Sequence, residues 1–146
     1  MPGIVVGVDG SERSVISLEW AVREAAVRNA ALTVITVQSV AAGYGSPVML
    51  PPDEPLGGQL RQAANESVDK ALSSLGDGPK PASVTVRAIV GSPAQELIGA
   101  SRGADMLVVG SRGAGGFTRL MMGSVSSQVA QHAHCPIVII PAGRTD

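Results

Sequence analysis

The residues best suited to chemistry lie in the last third of the chain. They are Gly110-Ser111-Arg112-Gly113, nine further residues, and then Gly123-Ser124. Gly110 and Gly113 have no Cβ, so a ligand can approach the backbone closely and positive φ carries little penalty. Gly123-Ser124 stands where a helix is expected to open. The N–H groups and positive dipole end of a helix mouth favour an anion, a phosphate above all. The hydroxyls of Ser124 and Ser126 can add donors to phosphate oxygens, and Arg112 and Arg119 can add charge, although the spacing orients neither arginine. A second place of interest is Val8-Asp9-Gly10-Ser11. Asp9 is the carboxylate placed to hold Mg²⁺; its other reading is a cap on the helix that follows. The bland alternative remains open: the glycines only shape a loop, and Ser124 only caps a helix.

Strands and helices must hold these residues in place. Ile4–Asp9, Leu32–Gln38, Met106–Gly110 and Pro136–Ile140 are near-continuous apolar runs, the pattern of strands covered on both faces. Val84–Val90 alternates more and contains Arg87. Between the strands, Val15, Leu18, Val22 and Ala25 form an apolar stripe on a helix over Ser11–Asn29. Leu60, Ala64, Val68, Ala71 and Leu75 do the same for a second helix. Ser92-Pro93-Ala94-Gln95 has the form of a capping box that opens a third helix, ending near Gly103. A fourth helix runs from Ser124 to Ala133, with Pro136 barring its extension. This alternation predicts a parallel sheet with helices on both faces and right-handed crossovers. In such a sheet ligands bind beyond the carboxyl ends of the strands, where the strand order reverses. Asp9, Val37 and Gly110 all fall at those ends. Two segments interrupt the rhythm: Ala41–Gly58, rich in Gly and Pro and expected to be a mobile surface loop, and Ser111–Gly123.

Composition narrows the possibilities. The 146 residues suit one domain, 1–146, able to bury a sizeable core. Hydrophobic residues make up 45% and charged ones 16%, which excludes a disordered chain. A net charge of −1 and an aromatic share of 2% exclude a dedicated nucleic-acid binder, which needs a basic face or stacking platforms. No apolar stretch is long enough to span a bilayer, and the start Met1-Pro2-Gly3-Ile4 lacks a basic leader. One cysteine, Cys135, fits a reducing compartment, so a cytoplasmic location is expected. His132, His134 and Cys135 invite a metal reading, but helix-to-strand geometry should splay them, and Cys135 is expected to be an inert core thiol. No G-x-x-x-x-G-K-[ST] is present, and the first turn lacks G-x-G-x-x-G.

Taken together, the chain resembles the universal stress protein family along essentially its whole length. The likeness rests on Ile4-Val5-Val6-Gly7-Val8-Asp9-Gly10-Ser11, Val90-Gly91-Ser92-Pro93, Asp105 through Gly113, Gly123-Ser124-Val125-Ser126 and Cys135-Pro136-Ile137-Val138-Ile139-Ile140. The family's ATP-binding pattern, G-x₂-G-x₉-G-[ST], is fulfilled at Gly110, Gly113, Gly123 and Ser124. Some versions continue with Asn; Val125 stands here, which removes one polar contact. The resemblance implies an open five-stranded parallel sheet of order 3-2-1-4-5 with helices on both faces, Rossmann-like, whose switch point lies between Asp9 and Gly110. It further implies a bound ATP or AMP with Mg²⁺. Asp9 would lie at the ribose or the metal, and Val37 would offer its backbone to the adenine edge. Val109, Gly110, Ser111 and Gly113 would line the ribose and phosphates, with Gly123, Ser124, Val125 and Ser126 around the phosphate tail. The apolar edge strand Ile137–Ile140 needs cover, and in the family it commonly pairs with a twofold mate, so a homodimer is expected. Three functions follow as expectations: a nucleotide-binding stress-response or regulatory protein, a slow Mg-dependent ATP hydrolase, or a partner protein whose loop is vestigial. No triad or Walker residue supports rapid turnover.

Overall fold

The structure, a computed structural model, describes residues 3–39, 48–49, 55–111 and 123–141. Strand β1 (Gly3–Val8) is followed by helix α1 (Glu12–Arg28) and strand β2 (Ala31–Ser39). After β3 (Val48–Met49) come α2 (Pro55–Ser73), β4 (Ser83–Gly91) and α3 (Pro93–Ala100), which runs into a 3₁₀ turn at Ser101–Gly103. Strand β5 (Met106–Gly110), helix α4 (Ser124–His132) and strand β6 (Ile137–Ile140) complete the order.

Local chemistry accounts for the ends of α1. Gly10 turns the chain out of β1 with φ +84°, a conformation that glycine adopts without a Cβ penalty. Ser11 is the N-cap, its Oγ accepting the Ser14 N–H at 3.2 Å. At the other end Asn29 takes the left-handed conformation at φ 51°. The Asn29 N–H donates to the Ala26 carbonyl and the Ala30 N–H to the Ala25 carbonyl, which together stop the helix. At α3, Ser92 holds the N-cap position, but its side chain makes no capping bond, contrary to the expected capping box. The first turn is closed instead by the Glu96 N–H on the Ser92 carbonyl at 3.0 Å.

The sheet order is β3-β4-β2-β1-β5-β6. Five strands run parallel, in the order that the family resemblance implies. The sixth, β3, pairs antiparallel with the end of β4, Val48 beside Val90 and Met49 beside Ile89. The expectation of a mobile surface loop over Ala41–Gly58 therefore fails at Val48–Met49 and again at Pro55, where α2 begins. Strand β3 is two residues long and owes its conformation to the edge of β4, a tertiary cause that no local periodicity records. The rest of that segment lies outside the described residues.

Alternate residues of each central strand serve opposite faces. Ile4 and Val6 of β1 pack with Leu18, Val22 and Ala25 of α1 and Val68 and Ala71 of α2. Val5 of β1, with Ile35, Leu107 and Val109, packs against Leu97 of α3 and Val129 of α4. Gly7 lets α3 come close, for a Cβ there would stand 2.8 Å from Leu97 Cδ1. Val15, placed on the apolar stripe of α1 by its spacing, is exposed; the buried stripe begins at Ser17. Trp20 packs half-buried on the first face. Among the described residues no helix is long and apolar enough to cross a membrane.

Among the described residues one buried hydroxyl fits poorly. Ser17 is 0% exposed, and among the described residues its hydroxyl has no hydrogen-bond partner. A buried hydroxyl without a partner is costly, and Ala is the better helix former. Ser17→Ala is expected to raise the urea midpoint with an unchanged slope, a gain of about 1 kcal/mol. A lowered midpoint would show that the hydroxyl is satisfied in solution.

Candidate functional site

The point where strand order reverses lies between β1 and β5. From β1 the chain passes to β2 on one side, while β5 pairs with β1 on the other. Ile4, Val5 and Val6 lie beside Met106, Leu107 and Val108, so the carboxyl ends of the two strands emerge together. Asp9 follows the end of β1, Gly110 ends β5, and Val37 lies on β2 one position beyond Thr36, the partner of Val8. Val109 is buried beneath this edge, in the core shared with α3 and α4. Adjacent strand ends of this kind leave a crevice bordered by backbone, the usual binding place in open α/β sheets.

Helix α4 brings its amino end to the same place. The Ser111 carbonyl, just past β5, accepts the N–H of Gly123 at 2.6 Å. The hydroxyl of Ser126 also donates to it, at 3.0 Å, and lies 3.1 Å from the Gly123 carbonyl. The Ser111 N–H in turn donates to the carbonyl of Ile140, the last residue of β6, at 2.8 Å. Residues 111 and 123 are thus joined although eleven positions separate them. The N–H groups of Ser124, Val125 and Ser126 form the first turn of α4, where no helical carbonyl can accept them. An anion beyond the end of β5 would meet these amides and the positive end of the helix dipole. Ser124 is exposed there, whereas Ser126 is 2% exposed.

Two sequence expectations change in detail. Gly123 is the N-cap residue with φ −67°, and positive φ among the described residues is confined to Asn29, Gly10 and Gly76. Gly110 and Gly123 therefore do not need left-handed backbone, and the remaining use of glycine is the missing side chain. The Ser126 hydroxyl, expected to face phosphate oxygens, is buried and shared between the Ser111 and Gly123 carbonyls. Arg112, Gly113 and Arg119 lie outside the described residues.

Asp9 is exposed and is not the cap of α1; Ser11 is. The Asp9 carboxylate accepts both the Ser11 N–H at 2.9 Å and the Ser11 hydroxyl at 2.6 Å. It fixes the capping residue, and through it the start of α1, beside the end of β1. Among the described residues no three His, Cys, Asp or Glu side chains come together to hold a metal ion. A single carboxylate fits Mg²⁺ only as an ion that arrives with phosphates and keeps most of its own water.

A mainly parallel open α/β sheet with a helix mouth drawn to its switch point is the arrangement of doubly wound α/β domains, in which helix amino ends favour anions. Residues 2–141 match the model of the universal stress protein family, and the chain belongs to that family. A universal stress protein of Mycobacterium tuberculosis is 33% identical over 159 residues, covering 95% of this chain and 48% of its own. The chain spans about half the length of the curated relatives it matches. Among solved structures, a universal stress protein of Lactobacillus plantarum superposes with TM-score 0.72 at 23% identity, covering 95% of this chain and 97% of its own. A universal stress protein in complex with cAMP superposes with TM-score 0.64 at 28% identity, covering 95% of each chain.

The other end of α4 carries the residues that invited a metal reading. His132 and His134 are both exposed. The His134 N–H donates to Ser101 Oγ at 2.9 Å, and that hydroxyl donates to the Ile98 carbonyl at 2.6 Å. Cys135, expected in the core, precedes β6 and is only half-buried. Burial first, and the carboxylate of Asp105 second, push its thiol up from the ordinary range. The folded chain thus holds this proton more tightly than the unfolded one, and raising pH through the ordinary thiol range disfavours folding. Since the thiolate is the nucleophile, native Cys135 is expected to react with iodoacetamide over a pH range displaced upward from that of the urea-unfolded chain. Coincident pH profiles would contradict that environment.

Proposed function

We propose that this chain binds an adenine nucleotide, ATP or AMP, at the switch point between β1 and β5. The observation that carries this reading is the 2.6 Å bond from Gly123 to Ser111, which draws the mouth of α4 to the end of β5. The relative that forms a complex with cAMP supports an adenine nucleotide as the ligand class. In this reading the amides of Ser124, Val125 and Ser126 receive the phosphates, with Gly110, Ser111, Arg112 and Gly113 along the ribose and phosphates. Gly123 leaves room for the ligand, Val109 supports the floor, and the backbone of Val37 meets the adenine edge. Asp9 faces the ribose or a Mg²⁺ carried by the phosphates. Binding changes the conformation of the loop or its choice of partner, which is a regulatory or stress-response role in the cytoplasm.

A glutamate at position 123 would put its carboxylate where the phosphate rests. Gly123→Glu is therefore expected to lower the affinity for ATP at least tenfold by isothermal titration, about 1.4 kcal/mol, with the circular dichroism spectrum kept. Equal affinity in the variant would refute this site.

Slow Mg-dependent hydrolysis of ATP is the second reading, and Asp9 is the residue that favours it. Steady phosphate release that disappears in Asp9→Asn would establish hydrolysis; clear binding with flat release would leave a sensor.

A homodimer through β6 completes the proposal. Ile137, Val138 and Ile139 are only partly buried, and among the described residues β6 pairs with β5 alone. An apolar edge of this kind calls for cover, which a second copy supplies. Sedimentation at micromolar concentration is expected to give the dimer mass, and monomer alone would rule the dimer out.

A further inference from the structure

Ser126 differs from the other polar residues of the site. It is 2% exposed, and its Oγ, with one proton to donate, lies 3.0 Å from the Ser111 carbonyl oxygen and 3.1 Å from the Gly123 carbonyl oxygen. One acceptor stands before residues 112–122 and the other after them. With the Gly123 N–H on the Ser111 carbonyl, the hydroxyl ties the two ends of that segment together at the base of the site. Water cannot replace a bond this deeply buried without cost. The same hydroxyl fastens the first turn of α4 to the end of β5, so it sets where the amides of Ser124, Val125 and Ser126 point.

We propose that the side chain of Ser126 is a positioning residue for nucleotide binding: its buried hydroxyl aligns the α4 amides with the end of β5 without touching the ligand. This role rests on the reading of the site given above. It separates two parts of one residue. The Ser126 amide belongs to the helix mouth and survives any side-chain substitution. The hydroxyl acts through Ser111 and Gly123. Losing the hydroxyl removes no proposed ligand-contacting group, but leaves the two ends of the segment joined by the Gly123–Ser111 backbone bond alone and the α4 amides less firmly aligned. A pre-aligned site binds more tightly because less ordering remains to be done on binding.

The test compares wild type, Ser126→Ala and Ser126→Thr by isothermal titration with MgATP and with AMP, at a temperature where circular dichroism shows all three folded. Backbone amide exchange of Gly123 is followed by NMR in the free proteins. Ser126→Ala is expected to bind about threefold to thirtyfold more weakly, the range for residues that act on a site without contact. Its Gly123 amide should exchange faster than in wild type. Ser126→Thr keeps the hydroxyl and should restore most of the affinity and the protection. If the Ala variant does not fold, Ser126→Cys takes its place, nearly the same shape with a weak donor, and the same losses are expected. Wild-type binding with an unchanged constant in Ser126→Ala, or a Thr variant as weak as the Ala variant, overturns the positioning role and leaves the site reading intact. Unchanged Gly123 exchange in Ser126→Ala also overturns it. No binding by wild type overturns the site reading and the positioning role together.

Discussion

The peptide groups of Ser111 hold the switch point together. Its N–H is bonded to Ile140 at the end of β6, and its carbonyl to Gly123 and Ser126 at the start of α4. Three elements therefore meet at one residue just past the end of β5. Without these bonds α4 would still cover the sheet through Val129, but its amino end would have no fixed place relative to β1. Hydrogen bonds of this kind contribute little net stability each, about 1 kcal/mol. Their effect is geometric. They turn a generic helix terminus into one aimed at a particular crevice.

The crevice itself is a product of topology. Because β1 lies between β2 and β5, the chain leaves β1 in one direction and returns on the other side. Residues at the ends of β1 and β5 are then neighbours, although about a hundred positions separate Asp9 from Gly110. The alternating faces of β1, Ile4 and Val6 one way and Val5 the other, bind both helix layers to the same strand. A rigid two-sided core beneath Asp9 and Gly110 is what allows a site made chiefly of backbone to keep its shape.

The fold was accessible from sequence because the central strands are apolar on both faces and the helices carry clear stripes. Met106–Val109, all buried, is the plainest case. The Gly110-to-Ser124 spacing likewise indicated where the helix mouth would meet a strand end. What sequence could not supply was partnership. Residue type alone let Asp9 be read as a cap or as a ligand, and did not show that its carboxylate holds the capping residue Ser11. Ser126 looked like a phosphate donor because its hydroxyl follows Ser124 in the motif, yet that hydroxyl is turned inward to Ser111. The acceptor lies fifteen residues away, which no local pattern encodes. Strand β3 escaped for the same reason, since two residues take strand form only because β4 has an edge to offer.

The central claim is that amides at the mouth of α4, held beside the end of β5, receive the phosphates of an adenine nucleotide. Its most direct test is a ¹⁵N–¹H titration of the intact chain with MgATP. The largest shifts should fall on Gly110, Ser111, Gly123, Ser124, Val125 and Ser126, with the amides of β4 and of His132–Cys135 nearly still. A spectrum unmoved at millimolar nucleotide, or shifts centred away from the β1–β5 crevice, would contradict it.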